Sequence, residues 1–254
     1  MRIRVLGANG GIGNGANTTS LLIDNDILLD AGTGVAGLTL EEMTAIDHVF
    51  LTHAHLDHVV CIPFLLDSVG SRRQHPLIVH AEPATLDVLR QHVFNNQLWP
   101  DFTRIPAPEK PWVRLEPLPP GGTATVAGRS FHSIPVTHTV PAVGYLISNG
   151  RGSFGFSGDT TVTEEYWKTL NACETLQQFV IETSFMDEEE ALSTLSGHLC
   201  PRLLALELRK YKGPAQTYIT HLMPGEEEQI MSEIRAHLPG RPIQALCTGM
   251  VFEL

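Results

Sequence analysis

Three histidines and an aspartate fall within six residues, His53-Ala54-His55-Leu56-Asp57-His58, directly after the apolar run 48–52. Alternate residues of an extended chain point the same way, so His53 and His55 can grip one ion together. Asp57 and His58, past a bend, can then reach a second ion on the other side. Imidazole and carboxylate suit zinc, manganese or iron better than calcium or magnesium. A single histidine in such a place is more simply a surface group or a satisfied polar group of the core. Four potential ligands in this spacing, after an apolar strand, read as a metal site.

A second motif invites a different chemistry. Gly7-Ala8-Asn9-Gly10-Gly11-Ile12-Gly13 follows a strand-like segment, and Asp30 ends a later one. That pattern imitates a dinucleotide-binding fingerprint. A phosphate held in that way needs a helix N-terminus, and Asn14-Gly15-Ala16-Asn17-Thr18-Thr19 does not read as a helix. No Tyr-x-x-x-Lys pair occurs either. The glycines are expected instead to form a turn beside the active site.

The elements that must position these groups follow from the apolar patterning. Strands are expected at 2–6, 18–23, 26–30, 48–52, 77–81, 178–183 and 216–220, with one more near the end. Helices are expected around 40–46, 57–68, 83–96, 162–170, 200–210 and 225–237, with Pro63 counting against the second. Four prolines make 99–111 a surface loop, and 113–157 is β-rich with a hairpin turn at Asn149-Gly150. No repeat, low-complexity tract or linker divides residues 1–254, so one domain is expected. Two β-rich halves, each with helices, suggest an α/β (α+β) architecture: two sheets face to face with helices outside, an αββα sandwich.

Composition bounds the partners. Hydrophobic residues make up 43% and charged residues 18%, as in a globular protein with a sizeable core. The formal net charge of −11 argues against a surface built to track a polyanionic backbone, so nucleic acid is not expected as a partner. A small anion is still compatible, because metal ions can reverse the sign of charge inside a pocket. Cys61, Cys173, Cys200 and Cys247 are far apart and read as reduced thiols of a cytoplasmic protein. The N-terminus lacks the apolar stretch of a signal peptide, and no run is long enough to span a membrane. Oligomeric state is not legible; a homodimer is left open.

The run 53–58 resembles the metal motif of the metallo-β-lactamase superfamily, and further segments resemble that family in the same order. Asp30, in Leu28-Leu29-Asp30-Ala31-Gly32, resembles the family's buried aspartate that orients a histidine ligand. His138, in Val136-Thr137-His138, resembles the third ligand of one ion, together with His53 and His55. Asp159, in Phe156-Ser157-Gly158-Asp159-Thr160, resembles the carboxylate that bridges both ions. His221, in Ile219-Thr220-His221, resembles the last ligand of the second ion, with Asp57 and His58. Taken singly, His138 and His221 have ordinary readings as strand-end or surface histidines, and Asp159 as a helix N-cap. The resemblance implies a four-layer αββα sandwich holding two divalent ions, zinc first, with manganese or iron as alternatives.

Within that superfamily, fold alone does not choose a reaction. Ile181-Glu182-Thr183-Ser184 followed by Gly197-His198-Leu199-Cys200-Pro201 resembles the class II cyclic-nucleotide phosphodiesterases, whose pattern has Glu-x-Ser and Gly-His-Leu-x-Pro. Ribonuclease Z is the nearest relative by motif, and its histidine-ligand segment resembles 138–145 here. Only 20 residues separate His138 from Asp159, which leaves no room for the long arm that bacterial ribonuclease Z inserts there to grip tRNA. Cys61 and Pro63 depart from the class II pattern, in the helix behind the metals. The resemblance implies hydrolysis of a 3',5'-cyclic nucleotide such as cAMP or cGMP to the 5'-nucleotide, with a bridging water activated by the ions. The departing 3'-oxygen needs a proton, and His198, held by a carboxylate such as Glu182, is the expected donor. Asp57 is counted with this catalytic group as well as with the ligands. Ribonuclease Z-type RNA processing is the competing activity. A non-enzymatic metal-binding or sensor protein is a third reading, which the complete ligand set weighs against; lactonase or thioesterase chemistry is also open.

Overall fold

Strands that are apolar at successive positions must be covered on both faces. The computed structural model, which describes residues 1–254, shows how. Leu21, Ile23, Ile27, Leu29 and Phe50 turn towards Phe131, Tyr145, Phe154 and Phe156 in a core between two sheets. The alternate residues Leu22, Leu28 and Val49 turn the other way, under helices that cover the first sheet. Across the sandwich Val180 faces inward, while its neighbours Phe179 and Ile181 pack against the helices of the opposite face. The result is four layers, as the two β-rich halves, each with helices, led us to expect.

Each sheet has seven strands. The first runs Val251–Glu253, Arg2–Gly7, Ser20–Ile23, Ile27–Leu29, His48–Phe50, Leu77–Ala81, Val113–Pro117. The second runs Ile243–Ala245, Gln216–Thr220, Leu176–Glu182, Ser153–Phe156, Val143–Ser148, Arg129–Pro135, Thr123–Val126. Pairing is parallel from Ile27–Leu29 to Val113–Pro117 in the first sheet, and from Ser153–Phe156 to Ile243–Ala245 in the second. Parallel strands gather ligands beyond their carboxyl ends. The segments that leave Leu29, Phe50, Phe156, Glu182 and Thr220 converge on one edge of the sandwich.

Several details differ from the expectations. The helix expected over 57–68 is two, Leu56–Val59 and Cys61–Val69. Pro63 is the third residue of the latter, where a first-turn N–H has no helical partner to lose. The helix expected to 96 ends in a π turn, Leu89–Val93. The proline-rich 99–111 is more than a surface loop, because Phe102 is buried against Trp112 and Pro106–Ala107 pairs with Lys110–Pro111. The β-rich stretch passes from one sheet to the other between Pro117 and Thr123. The single final strand is two, one in each sheet. A helix at Glu190–Ser196 was not expected: it buries Ser193 but leaves Leu192 and Leu195 exposed, so it lacks an apolar stripe. No two cysteines are bonded, and no helix is long and apolar enough to cross a membrane.

Candidate metal centre

Asp30 follows strand Ile27–Leu29 with a left-handed φ of 55° and is fully buried. Its carboxylate accepts from Thr52 N at 2.8 Å, Thr52 Oγ1 at 2.9 Å and His58 Nδ1 at 2.7 Å. With the Nδ1 proton given to Asp30, His58 turns a bare Nε2 towards Asp159 Oδ2 at 3.2 Å and Asp57 Oδ2 at 3.4 Å. His138 likewise gives Nδ1 to the Gly197 carbonyl at 2.9 Å, which leaves Nε2 free. That nitrogen lies 3.1 Å from His55 Nδ1 and 4.0 Å from Asp159 Oδ2. His53 Nε2 is 3.5 Å from the same oxygen, and His221 Nε2 is 3.2 Å from it and 3.2 Å from Asp57 Oδ2.

All of these atoms carry lone pairs, and they crowd round one carboxylate oxygen. The buried Nε2 atoms of His53 and His58 have no hydrogen-bond partner. Buried polar groups are seldom left so, and a cation between them resolves both the orphaned lone pairs and their mutual repulsion. Two overlapping sets of donors, each within 4.8 Å, could hold one: His53, His55, His138 and Asp159, and Asp57, His58, Asp159 and His221. Asp159 belongs to both. The donor chemistry fits zinc, manganese or iron.

Protonation of the cluster is uneven: burial holds the His53 imidazole well below its ordinary value, whereas His58 goes the other way. Burial opposes charge on His58, yet Asp159 and Asp30 prevail and hold its imidazole well above the ordinary value. Burial likewise opposes charge on Asp159, but His221 and His58 keep its carboxyl well below the usual range. A metal bound at His58 Nε2 would replace that proton, so uptake should release it.

His198 stands beside this cluster. Its ring lies 5.0 Å from those of His138 and His221, and it belongs to neither donor set. Glu182 Oε1 accepts from its Nδ1 at 2.7 Å. Burial lowers the affinity of His198 for a proton, but the Glu182 carboxylate outweighs it and pushes the pKa up to about 9. Glu182 is entirely buried, far from an ordinary strand-end surface carboxylate. It also accepts from Thr160 N, beside Asp159, at 3.0 Å, and from Ser184 Oγ and Leu199 N at 3.2 and 3.3 Å.

The structure thus brings every residue expected at the site to one place. Sequence reasoning gave no role to Thr52 or Ser184, whose hydroxyls reach His53 and His221. The glycine-rich loop also has a part here: a Cβ on Gly10 would meet His221 Nδ1 at 2.7 Å, so only glycine fits against that ring. A cleft of about 620 Å³ opens over the cluster. Besides His55, Asp57, Asp159, His198 and His221, it is walled by Gly10, Gly11, Ile12, Leu56, Phe185 and Met223.

Residues 25–222 match the family model of the beta-lactamase superfamily domain. A probable 3',5'-cyclic-nucleotide phosphodiesterase of Yersinia pestis is 28% identical, over 88% of this chain and 78% of the relative. A ribonuclease Z of Bradyrhizobium diazoefficiens is 25% identical, over 90% of this chain and 92% of the relative. The crystal structure of unliganded yeast PDE1 has the same fold, with a TM-score of 0.80 at 19% identity over 100% of this chain and 99% of that one. The chain belongs to the metallo-β-lactamase superfamily of metal-dependent hydrolases.

Proposed function

We propose that the protein hydrolyses 3',5'-cyclic nucleotides to 5'-nucleotides, using two divalent ions held by His53, His55, His138, Asp57, His58 and His221, with Asp159 between them. The observation that carries this reading is the cleft itself. It is large enough for a mononucleotide, yet none of its fifteen lining residues is a lysine or arginine. A phosphodiester entering it would find positive charge in the metal ions and in His198. A polynucleotide would need basic side chains along its path, and the chain's net charge is −11. The 20 residues between His138 and Asp159 are largely taken up by a tight hairpin, Val143–Ser148 and Ser153–Phe156, with no arm. The name of the Yersinia relative agrees with this reading.

When bound, the ions supply a nucleophile by lowering the pKa of water, and they draw charge from the phosphoryl oxygens. The protein's own groups do the rest. His198 commits Nδ1 to Glu182, so the proton it can transfer sits on Nε2. Held as a cation below its raised pKa, it protonates the departing 3'-oxygen, which is a poor leaving group without a proton. Phe185, Met223 and Ile12 give the cleft an apolar wall against which a base can lie.

A ribonuclease Z-type activity is the second reading, because a relative of that name matches 90% of this chain. Steady-state rates of the zinc-loaded protein on cAMP, cGMP and a tRNA precursor separate the two. Turnover of a cyclic mononucleotide well above cleavage of the precursor is expected. Efficient precursor cleavage with no turnover of either cyclic nucleotide would overturn the proposal.

A further inference from the structure

Two buried carboxylates flank the metal cluster, and each fixes one histidine directly and a second through a hydroxyl. Asp30 accepts from His58 Nδ1 at 2.7 Å and from Thr52 Oγ1 at 2.9 Å; Thr52 Oγ1 then lies 3.0 Å from His53 Nδ1. Glu182 accepts from His198 Nδ1 at 2.7 Å and from Ser184 Oγ at 3.2 Å; Ser184 Oγ then lies 2.9 Å from His221 Nδ1. The first hydroxyl comes from the chain just past His48–Phe50 in one sheet, the second from just past Leu176–Glu182 in the other.

A hydroxyl has one proton, which settles the direction of each relay. Thr52 must donate to Asp30, because a buried carboxylate that loses a donor bears a large desolvation cost. Towards His53 it can then only accept, so His53 carries its proton on Nδ1 and presents a bare Nε2. Ser184 has three neighbours: Glu182, His198 Nδ1 at 3.3 Å and His221 Nδ1. His198 Nδ1 is already a donor to Glu182, so it cannot accept. Ser184 therefore donates to Glu182 and accepts from His221 Nδ1, which again leaves Nε2 bare. In both cases the bare nitrogen is the one aimed at Asp159.

We propose that Thr52 and Ser184 are positioning residues that each lock the metal-binding tautomer of one histidine, Thr52 for the ion held with His55 and His138 and Ser184 for the ion held with Asp57 and His58. This rests on the two-ion reading and not on the identity of the substrate. The remaining ligands have their own supports: the direct Asp30 bond holds His58, and the Gly197 carbonyl holds His138. Loss of either hydroxyl should therefore weaken one position and spare the other. Ser184→Ala also leaves the His198–Glu182 bond in place, which separates ligand positioning from proton donation.

The test is a chelator-competition titration of the zinc-free protein, with His55→Ala and His221→Ala marking which of the two zinc constants belongs to which position. Thr52→Val should weaken the constant marked by His55→Ala by about 10–100-fold, the usual span for a group that orients a ligand histidine. Ser184→Ala should weaken the constant marked by His221→Ala to a similar degree. The untouched position should stay within about threefold, and Thr52→Ser and Ser184→Thr, which keep the hydroxyl, should restore binding. Nitrogen–proton correlation spectra of the histidine rings should show the Nδ1–H form of His53 and His221 in the wild type, and its loss at the matching residue in each variant. Two outcomes overturn the proposal: both constants weakening together in either variant, or neither moving more than threefold. A wild-type chain that takes up fewer than two zinc ions fails the two-ion reading instead, and that is visible before any variant is made.

Discussion

Replacing Glu182 with glutamine keeps the shape of the side chain and removes one acceptor oxygen. The native carboxylate is wholly buried and meets donors at all four contacts: Thr160 N and His198 Nδ1 on Oε1, Ser184 Oγ and Leu199 N on Oε2. A glutamine amide can turn its oxygen to one pair only, and its NH2 must then face two donors of the other. An unpaired buried donor costs about 1–3 kcal/mol, so two cost roughly 2–6 kcal/mol. Rotation of the Ser184 hydroxyl can relieve part of this, which favours the lower half, about 2–4 kcal/mol. At about 2–4 °C per kcal/mol for a large domain, the melting temperature should fall by roughly 5–15 °C. The assay is thermal unfolding of the zinc-free Glu182→Gln protein beside Glu116→Gln, an exposed carboxylate whose loss should stay within about 0.5 kcal/mol. Equal melting of the two variants would refute the view that Glu182 is the fixed point of this half of the site.

His198→Ala should slow a substrate with an alkoxide leaving group by about 10²–10⁴-fold, while a p-nitrophenyl phosphodiester, whose leaving group needs no proton, keeps most of its rate. Because Glu182 raises the His198 pKa to about 9 against burial, the donor form is present below that pH and lost above it. The alkoxide reaction should therefore fall on an alkaline limb, at or below about pH 9 because bound cations lower the value, and the variant should lack that limb. Equal losses on both substrates would remove His198 from proton transfer. Outside the donor cluster, burial first and His48 second hold the His80 imidazole down at about 4, against an ordinary value of about 6.5. Between those values the unfolded chain binds the extra proton, so stability present above pH 6.5 is lost as the pH falls. Discounted for partial exposure, the loss is on the order of 1 kcal/mol by pH 5. Urea unfolding at pH 7 and pH 5 should show a smaller difference for His80→Gln than for the wild type, and an unchanged difference would contradict this.

What the sequence made legible was local. The run 53–58 announces itself because four potential ligands, three histidines and an aspartate, sit within six residues at a strand end, and Asp30 and Asp159 are each set in short flanking patterns. The pairing of Glu182 with His198, expected from a motif resemblance, is present at 2.7 Å. The four-layer fold was legible as two β-rich halves, each with helices, and the structure shows strands such as 27–29 buried on both faces. Helix Glu190–Ser196 was hidden because its apolar residues face outward, so no periodicity marks it. Thr52 and Ser184 were hidden for another reason. A hydroxyl has no recognisable spacing to a carboxylate 22 residues away, and only the fold brings Thr52 to Asp30. Gly10 belongs to the same class, since its partner His221 lies on the far sheet.

The central claim is that two ions share Asp159 over a cleft suited to a small phosphodiester. It is tested most directly by titrating zinc into the metal-free protein while following both bound metal and hydrolysis of a cyclic mononucleotide. Six side chains plus a bridging carboxylate exceed what one tetrahedral ion can use, so activity should rise with occupancy and break at about two equivalents per chain. Saturation at one equivalent or fewer, or two bound ions with no hydrolysis of any cyclic nucleotide, would contradict it.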